Sequence, residues 1–578
     1  MCWKVSALLS VLLISVGLCA QTHPQQPTSA PLTLQRYSRM VSLDVVVKDQ
    51  KGHHLTGLTA KDFEIFEQTP SKSRDKREQR IAGIREVHTA AMVAPVMAPA
   101  STPPGVYTNA VSAQKDPVPP TVLLVDGINT ETQYQAQVHV QMLRMLRQLP
   151  HNVPVAVFLM GKHLELLQSF TTDPQLVQTA LAKAVSATGQ GLGHLDPTDD
   201  PSAPGNQFNG LSGPAGRDAA TLAARAQEFD QIVYAANIQE RFDRTYAAFI
   251  SIARSMAGFP GRKNLLWLST SFPLTLNPFL NQNDLAHLDF QKQMQILDSV
   301  LSDAKIAVYP VDIGGVRNLQ AYSAEARPAN PYAVPSTSVD GQRIAAAESR
   351  QIEMWNHEQN TMVSIAKDTG GKVCMGSNDL GQCVRDAVDD GSDFYEISYY
   401  PDSPDWNGEY RKIFVKVREH GARLSYRQGY YAIPEANADP RLQTAEMQKD
   451  CGDLLNATGV AFHASRLAPD GQGRLKFGLS IDPSDLTFST ALNGDQKLSV
   501  EVGVCTFDQH GWPQKLIAYP IDVQLSPKAY HTLVNGGHLQ DLILVPGPKP
   551  AAVRLLVKDV LSGNLGSVYI PTDDSKLN

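Results

Sequence analysis

The segment Thr121-Val-Leu-Leu-Val-Asp126 constrains the fold of this chain more than any other feature of its sequence. It is a short aliphatic run that stops on a carboxylate, and the polar residues Asn129 and Thr130 follow closely. Strands that are buried on both faces of a parallel sheet read as nearly continuous aliphatic runs. Because open α/β sheets bind ligands outside the carboxyl ends of their strands, we expect a functional site where this strand ends.

Helical and strand-like segments alternate after this first strand, which is typical of a parallel sheet covered by helices. Two further buried strands end in polar residues, one over residues 261–271 and one over 305–315. The other predicted elements are strands over 154–160 and 163–170 and helices over 132–149, 174–184, 241–257, 284–304 and 349–367. Their order predicts an α/β doubly wound domain with a mostly parallel sheet over residues 121–392.

Four short motifs occur in order along this predicted domain: Asp126-Gly-Ile-Asn-Thr130, Gly261-Arg-Lys-Asn264, Tyr309-Pro-Val-Asp312 and Thr369-Gly-Gly371. In these motifs, and in their spacing over roughly residues 41–432, the chain resembles the von Willebrand factor A (VWA)-related domain proteins of acidobacteria. The resemblance implies a Rossmann-like doubly wound fold in a secreted bacterial protein that serves binding or adhesion.

The resemblance also implies a divalent cation. Typical VWA domains hold Mg²⁺ or another divalent cation with an Asp-x-Ser-x-Ser loop, a distant Thr and a later Asp. In this chain Asp126 and Thr130 match the first and last loop positions, while Ile128 replaces the middle serine and no later Asp follows the strand over 261–271. The distant Thr is either at 171–172 or at Thr245. We therefore predict a degenerate metal site with the ligands Asp126, Thr130, Thr171 and Thr245, and a ligand-binding surface of Asp126, Asn129, Thr130, Ser269 and Ser271.

A structural interpretation of Asp126 stands beside the metal interpretation. Asp, Asn, Ser and Thr are favoured where a helix begins, because their side chains accept hydrogen bonds from unpaired backbone N–H groups. Asp126 could therefore cap the following helix or hold its own loop, with no cation involved. Thr171 is open to the same interpretation.

The first residues predict export. Lys4 precedes an apolar run over residues 5–18, and the small pair Cys19-Ala20 follows, which is the layout of a secretory signal peptide over residues 1–20. No other segment has the roughly eighteen continuous apolar residues that a spanning helix needs. We expect a secreted, periplasmic or extracellular protein.

Four cysteines remain after removal of the signal peptide, an even number that suits an oxidising compartment. The sequence permits three pairings, of which we favour Cys374 with Cys383 and Cys451 with Cys505. No Cys-x-x-Cys spacing occurs among the four cysteines, which argues against structural zinc.

Composition predicts several units, because 578 residues exceed what one hydrophobic core supports. Alternating apolar and polar residues predict strands in an N-terminal β segment and in a C-terminal β-sandwich. A Pro- and Ala-rich stretch is predicted as a linker, and a stretch dense in Gly, Pro and Asp as a loop insertion. The predicted bounds are 21–93 for the N-terminal segment, 94–120 for the linker, 187–232 for the insertion, 393–432 for a β extension that pairs with the N-terminal segment, and 439–578 for the C-terminal sandwich.

The same composition excludes several classes of function. The net charge of −7 and the lack of a basic run with interleaved aromatic residues argue against nucleic acid as a partner. The sequence has no Gly-x-Ser-x-Gly, His-Glu-x-x-His, P-loop or dinucleotide motif, so we predict no enzyme. We expect a VWA-type binding or adhesion protein with a protein or glycan ligand. The alternative is a metal-free structural component of the envelope or matrix, and a hydrolase using Ser269 or Ser271 comes third.

Overall fold

The computed structural model describes residues 40–70, 75–88, 103–111, 119–130, 142, 153–187, 214–270, 290–313, 349, 352, 356, 359–376, 380–403, 405–432, 447–453, 455–491, 493–545, 547 and 549–572. Its strands, in chain order, are β1 (Val41–Lys48), β2 (Phe63–Gln68), β3 (Arg77–Gln79), β4 (Ile81–His88), β5 (Val106–Thr108), β6 (Thr121–Asp126), β7 (Val155–Met160), β8 (Leu164–Thr171), β9 (Lys263–Ser269), β10 (Ile306–Asp312), β11 (Asp393–Tyr399), β12 (Tyr410–Val417), β13 (Arg423–Ser425), β14 (Gly429–Tyr431), β15 (Phe462–Leu467), β16 (Lys476–Ile481), β17 (Ser489–Thr490), β18 (Gln496–Phe507), β19 (Pro513–Leu525), β20 (Leu539–Leu544), β21 (Ala552–Asp559) and β22 (Leu565–Pro571). Its helices are α1 (Pro174–Ala187), α2 (Pro214–Met256), α3 (Phe290–Asp303), α4 (Leu380–Ser392) and α5 (Pro527–Val534), with a further helical stretch over residues 359–369.

The middle of the chain forms a five-stranded mixed sheet in the order β10-β9-β6-β7-β8. The first four of these strands run parallel to one another, whereas β8 is antiparallel to β7. Every residue of β6, β7, β9 and β10 is buried, which is why these strands read as aliphatic runs in the sequence. The molecule is therefore a mixed α/β protein whose central sheet contains parallel strands.

Helices cover both faces of this sheet, because alternate strand residues enter two different cores. On one face Leu124 and Trp267 pack with residues of α2 and α3. On the other face Leu123 and Leu266 pack with residues of α1 and α4. Of the helix predicted over 132–149, only the helical residue Met142 lies in the described part of the chain, and it belongs to the second core.

The strands before and after the central sheet share two four-stranded sheets. One has the order β13-β1-β11-β4 and the other β14-β12-β2-β3. Val41 lies opposite Tyr399, and Phe66 lies opposite Phe414, so N-terminal residues pair with residues after 392 in both sheets. One apolar cluster that includes Leu43, Ile65 and Ile397 joins the two sheets.

The C-terminal region has a sheet of order β20-β16-β15-β5 and a second sheet built on β17-β18-β21-β22, with β19 paired to β18. These sheets share an apolar cluster that includes Phe462, Val502 and Leu555. Strand β5 comes from the stretch predicted as a linker over 94–120, so that prediction is wrong for residues 106–108. Asn109 attaches the same stretch to β15, since its side chain accepts a hydrogen bond from the Phe462 backbone N–H at 2.9 Å.

The predicted loop insertion over 187–232 is also wrong for its second half. Helix α2 runs for 43 residues from Pro214, well before the predicted helix start at residue 241. The stretch from 219 to 226 is rich in alanine, the best helix former, which explains why helix can form although its Leu222 is exposed. Residues 1–39, including the predicted signal peptide, lie outside the described residues, as does most of the first half of the insertion.

Candidate functional site

Asp126 ends strand β6 in the middle of the central sheet, between β7 and β9. It lies opposite Met160 in β7, while Ser269 ends the neighbouring strand β9. The parallel pairing brings these carboxyl ends to one edge of the sheet, as the sequence led us to expect. Asp126, Asn129, Thr130 and Ser269 are all fully buried there.

The Asp126 carboxylate accepts five hydrogen bonds from the protein. Its Oδ1 accepts from the backbone N–H groups of Ile128 at 3.1 Å and Asn129 at 2.8 Å. Its Oδ2 accepts from Asn129 Nδ2 at 2.8 Å, from Ser269 Oγ at 2.9 Å and from Trp267 Nε1 at 3.0 Å. An ionised carboxylate is purely an acceptor, so five donors match the charged form and leave no place for an added proton.

Burial and hydrogen bonding act on this carboxyl group in opposite directions. Burial raises the pKa of Asp126, because the charged form loses its contact with water. The hydrogen bonds from Asn129, Ser269 and Trp267 stabilise the charged form and oppose that rise. The carboxylate therefore depends on its five donors to remain buried and charged.

Asn129 links Asp126 to helix α2. Its amide nitrogen donates to Thr245 Oγ1 at 3.0 Å as well as to Asp126, and its Oδ1 accepts from Arg241 Nε at 2.9 Å. The Thr245 hydroxyl in turn donates to the Arg241 carbonyl at 2.8 Å. The amide orientation is set by chemistry, because reversing it would point oxygen at the Asp126 carboxylate and nitrogen at the Arg241 guanidinium.

Two further hydroxyls close the loop that follows β6. The Thr130 hydroxyl donates to the backbone carbonyl of Asp126. The Thr270 hydroxyl donates to the Asn129 carbonyl at 2.9 Å. Both hydroxyls donate their hydrogens to backbone carbonyls of the loop, so these hydrogen bonds stabilise the turn.

The residues at this edge do not fit a divalent cation. Hard cations require several oxygen ligands around one point, at about 2.1 Å for Mg²⁺. Here the Asn129 amide nitrogen, a donor, lies between Asp126 Oδ2 and Thr245 Oγ1, which are the oxygens that a bridging cation would need. Thr130 directs its hydroxyl hydrogen to the Asp126 carbonyl. Among the described residues, no group of three or more His, Cys, Asp or Glu side chains could hold a metal ion.

Thr171 lies at the opposite edge of the sheet, and its prediction as a metal ligand is wrong. Because β8 runs antiparallel to β7, Thr171 pairs with Val155 at the start of β7, whereas Asp126 pairs with Met160 at its end. Five residue steps along a strand separate these positions by about 16 Å. The Thr171 hydroxyl instead accepts a hydrogen bond from the Asp173 backbone N–H at 3.1 Å, just before α1 begins.

Burial also bears on the predicted ligand-binding surface. Asp126, Asn129, Thr130 and Ser269 are 0% exposed, so a partner cannot contact them directly in this conformation. Ser271 lies outside the described residues. The four described residues support the loops at this edge, and their part in ligand binding stays a prediction.

Sequence reasoning missed three members of the network: Trp267, Arg241 and Thr270. Arg241 and Thr245 lie four residues apart in α2 and so face the same side of the helix, which is a signal present in the sequence. Trp267 gave no such signal, because a tryptophan within an aliphatic strand is also typical of a plain core residue. Trp267 has both roles, since its ring packs edge-on against Phe249 at 5.3 Å between ring centroids.

The structure contains two disulfides, Cys374–Cys383 and Cys451–Cys505, and these are the pairings that the sequence favoured. The first attaches α4 to the edge of β10, because Cys374 exchanges backbone hydrogen bonds with Pro310 and Asp312. The second joins the short helical segment before residue 452 to β18. In the described part of the chain, no helix has the length and apolar character needed to cross a bilayer.

Comparisons with known proteins leave the family open. No family model matches the chain, and no curated protein matches it. Among solved structures, an aerotolerance-related membrane protein from Bacteroides fragilis is 10% identical with a TM-score of 0.23, covering 47% of this chain and 98% of its own. The pilus adhesin SpaC from Lactobacillus rhamnosus GG is 9% identical with a TM-score of 0.23, covering 91% of this chain and 59% of its own. A von Willebrand factor type A protein from Catenulispora acidiphila is 12% identical with a TM-score of 0.16, and the match covers 61% of this chain and 73% of that protein. Likenesses this low define neither fold nor function for this chain.

Proposed function

We propose that this chain is an exported VWA-like interaction protein of the adhesion type, which binds a protein or glycan partner without a metal ion. The ordered motifs from Asp126 to Gly371 support the VWA relationship. A central sheet with parallel strands and helices on both faces is also what a doubly wound VWA domain would have. The two predicted disulfides support an oxidising compartment outside the cytoplasm.

One observation carries the metal-free part of this proposal. The Asn129 amide nitrogen lies within hydrogen-bond distance of both Asp126 Oδ2 and Thr245 Oγ1, where the VWA pattern would place a cation between an Asp and a distant Thr. The amide neutralises no charge, but together with four other donors it stabilises the ionised carboxylate. The network therefore replaces a metal as the element that organises this loop.

The burial of the network favours a second candidate, a structural component of the envelope or matrix. Since a partner cannot contact Asp126, Asn129, Thr130 or Ser269, binding would have to use the loops around them. In a scaffold no loop would bind, and the network would serve stability alone. The third candidate, a hydrolase, gains no support here, because the Ser269 hydroxyl is 0% exposed and the carboxylate to which it donates already accepts four other hydrogen bonds.

A binding screen in two ionic conditions tests the proposal. The purified chain would be applied to a panel of glycans and extracellular proteins in buffer with Mg²⁺ and in buffer with EDTA. We expect at least one partner that is retained equally in both. Loss of binding in EDTA would contradict the metal-free mode, and no partner in either condition would favour the scaffold.

A matched pair of variants would sharpen the screen. Thr245→Val removes a hydroxyl of the network, and Thr179→Val removes an exposed hydroxyl on α1 that bonds to Gln175 at 2.9 Å. If the network positions the binding loops, Thr245→Val should weaken retention while Thr179→Val should leave it unchanged.

A further inference from the structure

A small cavity of about 30 Å³ lies at the edge of the central sheet opposite Asp126. Its polar lining comes from five separate parts of the chain: Ser42 and Asp44 in β1, Arg262 just before β9, Ser302 and Lys305 between the end of α3 and β10, Thr369, and Arg427. It therefore lies between the N-terminal β strands and the α/β core. A single water needs roughly 10–15 Å³ by the same measure, so the cavity can hold about two to three water-sized groups, enough for the oxygens of a small anion.

Three buried polar atoms around this cavity have no hydrogen-bond partner among the residues that the structure describes: Arg262 Nε, Arg427 Nε and Ser302 Oγ. Each arginine is otherwise anchored, because Arg262 Nη2 donates to the Gly370 carbonyl at 2.7 Å and Arg427 Nη2 donates to the Ser42 carbonyl at 2.8 Å. Arg262 is only 2% exposed, so its Nε cannot be satisfied by bulk water. Unpaired buried donors are unfavourable, and two fixed N–H groups beside a hydroxyl call for an acceptor.

The charges around the cavity favour an anion. Lys305 forms an ion pair with Glu396, which lies opposite Asp44 in the paired strands. Asp44 is then the one lining carboxylate available to offset Arg262 and Arg427, and it forms no ion pair or hydrogen bond within the described part of the chain. Burial raises the pKa of Asp44, and Arg262 and Lys305 oppose that rise. Counting Glu396 with the lining side chains, three cationic and two anionic groups leave one positive charge, and Arg85, which also pairs with Glu396, adds a further cation.

We propose that this cavity is a binding site for a small, singly charged oxyanion, a carboxylate or a phosphate monoanion. Its oxygens accept from Arg262 Nε, Arg427 Nε and Ser302 Oγ. The ion connects the α/β core, which supplies Arg262 and Ser302, to the segment between β13 and β14, which supplies Arg427. This site is independent of the loop at Asp126 and of the function proposed above.

Calorimetric titration of sodium formate and of inorganic phosphate into the full chain tests this site, with sodium chloride at the same ionic strength as the reference. We expect saturable heat with formate or phosphate and none with chloride. Tighter binding of formate would assign the site to carboxylates, and tighter binding of phosphate would assign it to phosphate groups.

Two variants with opposite expected effects make the test specific. Ser302→Ala removes a donor to the ion and should weaken binding by about tenfold. Asp44→Asn removes a like charge near the ion and should tighten binding by about tenfold or more. Ser299→Ala, on the same helix but away from the cavity, should bind as the parent protein does.

Three results would overturn the proposal: no saturable heat with either ion, weaker binding in Asp44→Asn, or equal binding in Ser302→Ala and the parent. Circular dichroism would establish that each variant is folded. A crystal soaked in formate or phosphate that shows only water in the cavity would also overturn it.

Discussion

At the residue scale, Asp126 is held by more hydrogen bonds than a simple turn residue needs. All five of its partners are donors, and the carboxylate is fully buried. Removing one member of such a network leaves the others buried without hydrogen-bond partners. Buried unpaired polar groups lower the free energy of unfolding. The loop from Asp126 to Thr130 should therefore depend on this side chain for its conformation.

The first prediction concerns Asp126→Ala. We expect the substitution to lower the free energy of unfolding by about 3–5 kcal/mol, since it leaves the neutral donors of Asn129, Trp267 and Ser269 buried and unpaired. Asp173→Ala is the matched control, because that carboxylate is exposed and accepts only from the Gln175 backbone N–H at 2.8 Å. Its loss should cost about 1 kcal/mol. Denaturant unfolding of both variants measures the difference, and equal effects would contradict the account.

The second prediction concerns Asp298 in α3. Both of its carboxyl oxygens are buried and have no hydrogen-bond partner within the described part of the chain, and burial together with Asp368 raises its pKa well above the usual value. The folded state then retains a proton that the unfolded state releases, so stability falls as pH rises above the unfolded pKa. Asp298→Asn removes this dependence.

The stability of Asp298→Asn relative to the parent should therefore grow as pH increases from about 4 towards neutrality. Thermal unfolding at several pH values measures this trend. Asp243→Asn, at an exposed position of α2, serves as the control and should change stability little. A difference between Asp298→Asn and the parent that stays constant across the pH series would show that Asp298 is not held protonated.

At the scale of elements, the sequence predicted the parallel strands well because burial on both faces leaves an aliphatic run. It did not predict β5, since three residues have no periodicity and become a strand only by pairing with β15. It also missed the start of α2. Leu222 and Phe229 there are 55% and 64% exposed, so these two apolar residues give a periodicity argument no buried face to find.

Some features of the candidate site could likewise be predicted from the sequence, and others could not. Asp126, Asn129, Thr130 and Ser269 could be brought together from the sequence, because carboxyl ends of parallel strands share an edge. The sequence could not decide whether Thr245 or Thr171 lies beside Asp126. Thr171 ends β8, and the direction of β8 depends on how it pairs with β7 and not on its composition. The hydrogen-bond pattern that distinguishes a metal site from a closed network was beyond the sequence, because it depends on which way the Asn129 amide points.

The third prediction concerns the disulfides. Cys451–Cys505 closes a loop of 54 residues and Cys374–Cys383 closes one of nine. If the bonds act mainly on the unfolded chain, removing the first should cost about 4 kcal/mol and removing the second about 2.5 kcal/mol. Paired Cys→Ala variants and denaturant unfolding measure both, and a larger loss for the shorter loop would contradict the entropic explanation.

At the scale of the whole molecule, the chain connects its parts repeatedly. N-terminal strands pair with β11 to β13, β5 joins a C-terminal sheet, and α2 contacts the C-terminal region through ion pairs. Arg254 Nη1 lies 2.6 Å from Asp450 Oδ1 and 2.9 Å from Asp453 Oδ2. Asp450 is 2% exposed, so this contact is largely shielded from water.

The fourth prediction tests that connection. Arg254→Ala removes the guanidinium that donates to the buried Asp450 and should cost about 3–5 kcal/mol. The control is Arg244→Ala on the same helix, where the ion pair with Glu240 is partly exposed and should contribute about 0.5 kcal/mol or less. Limited proteolysis should release the C-terminal region faster in the first variant only. Equal proteolysis of the two variants would show that Arg254 does not hold the two regions together.

The central claim is that the Asn129 amide and its neighbours, rather than a cation, organise the loop after β6. Calorimetric titration of Mg²⁺, Mn²⁺ and Ca²⁺ into the full chain tests it most directly, with Asp126→Ala and the milder Thr245→Val as references. The account predicts the same heats of dilution for all three proteins. Micromolar binding to the parent that is lost in Asp126→Ala and weakened in Thr245→Val would contradict it and establish a working metal site.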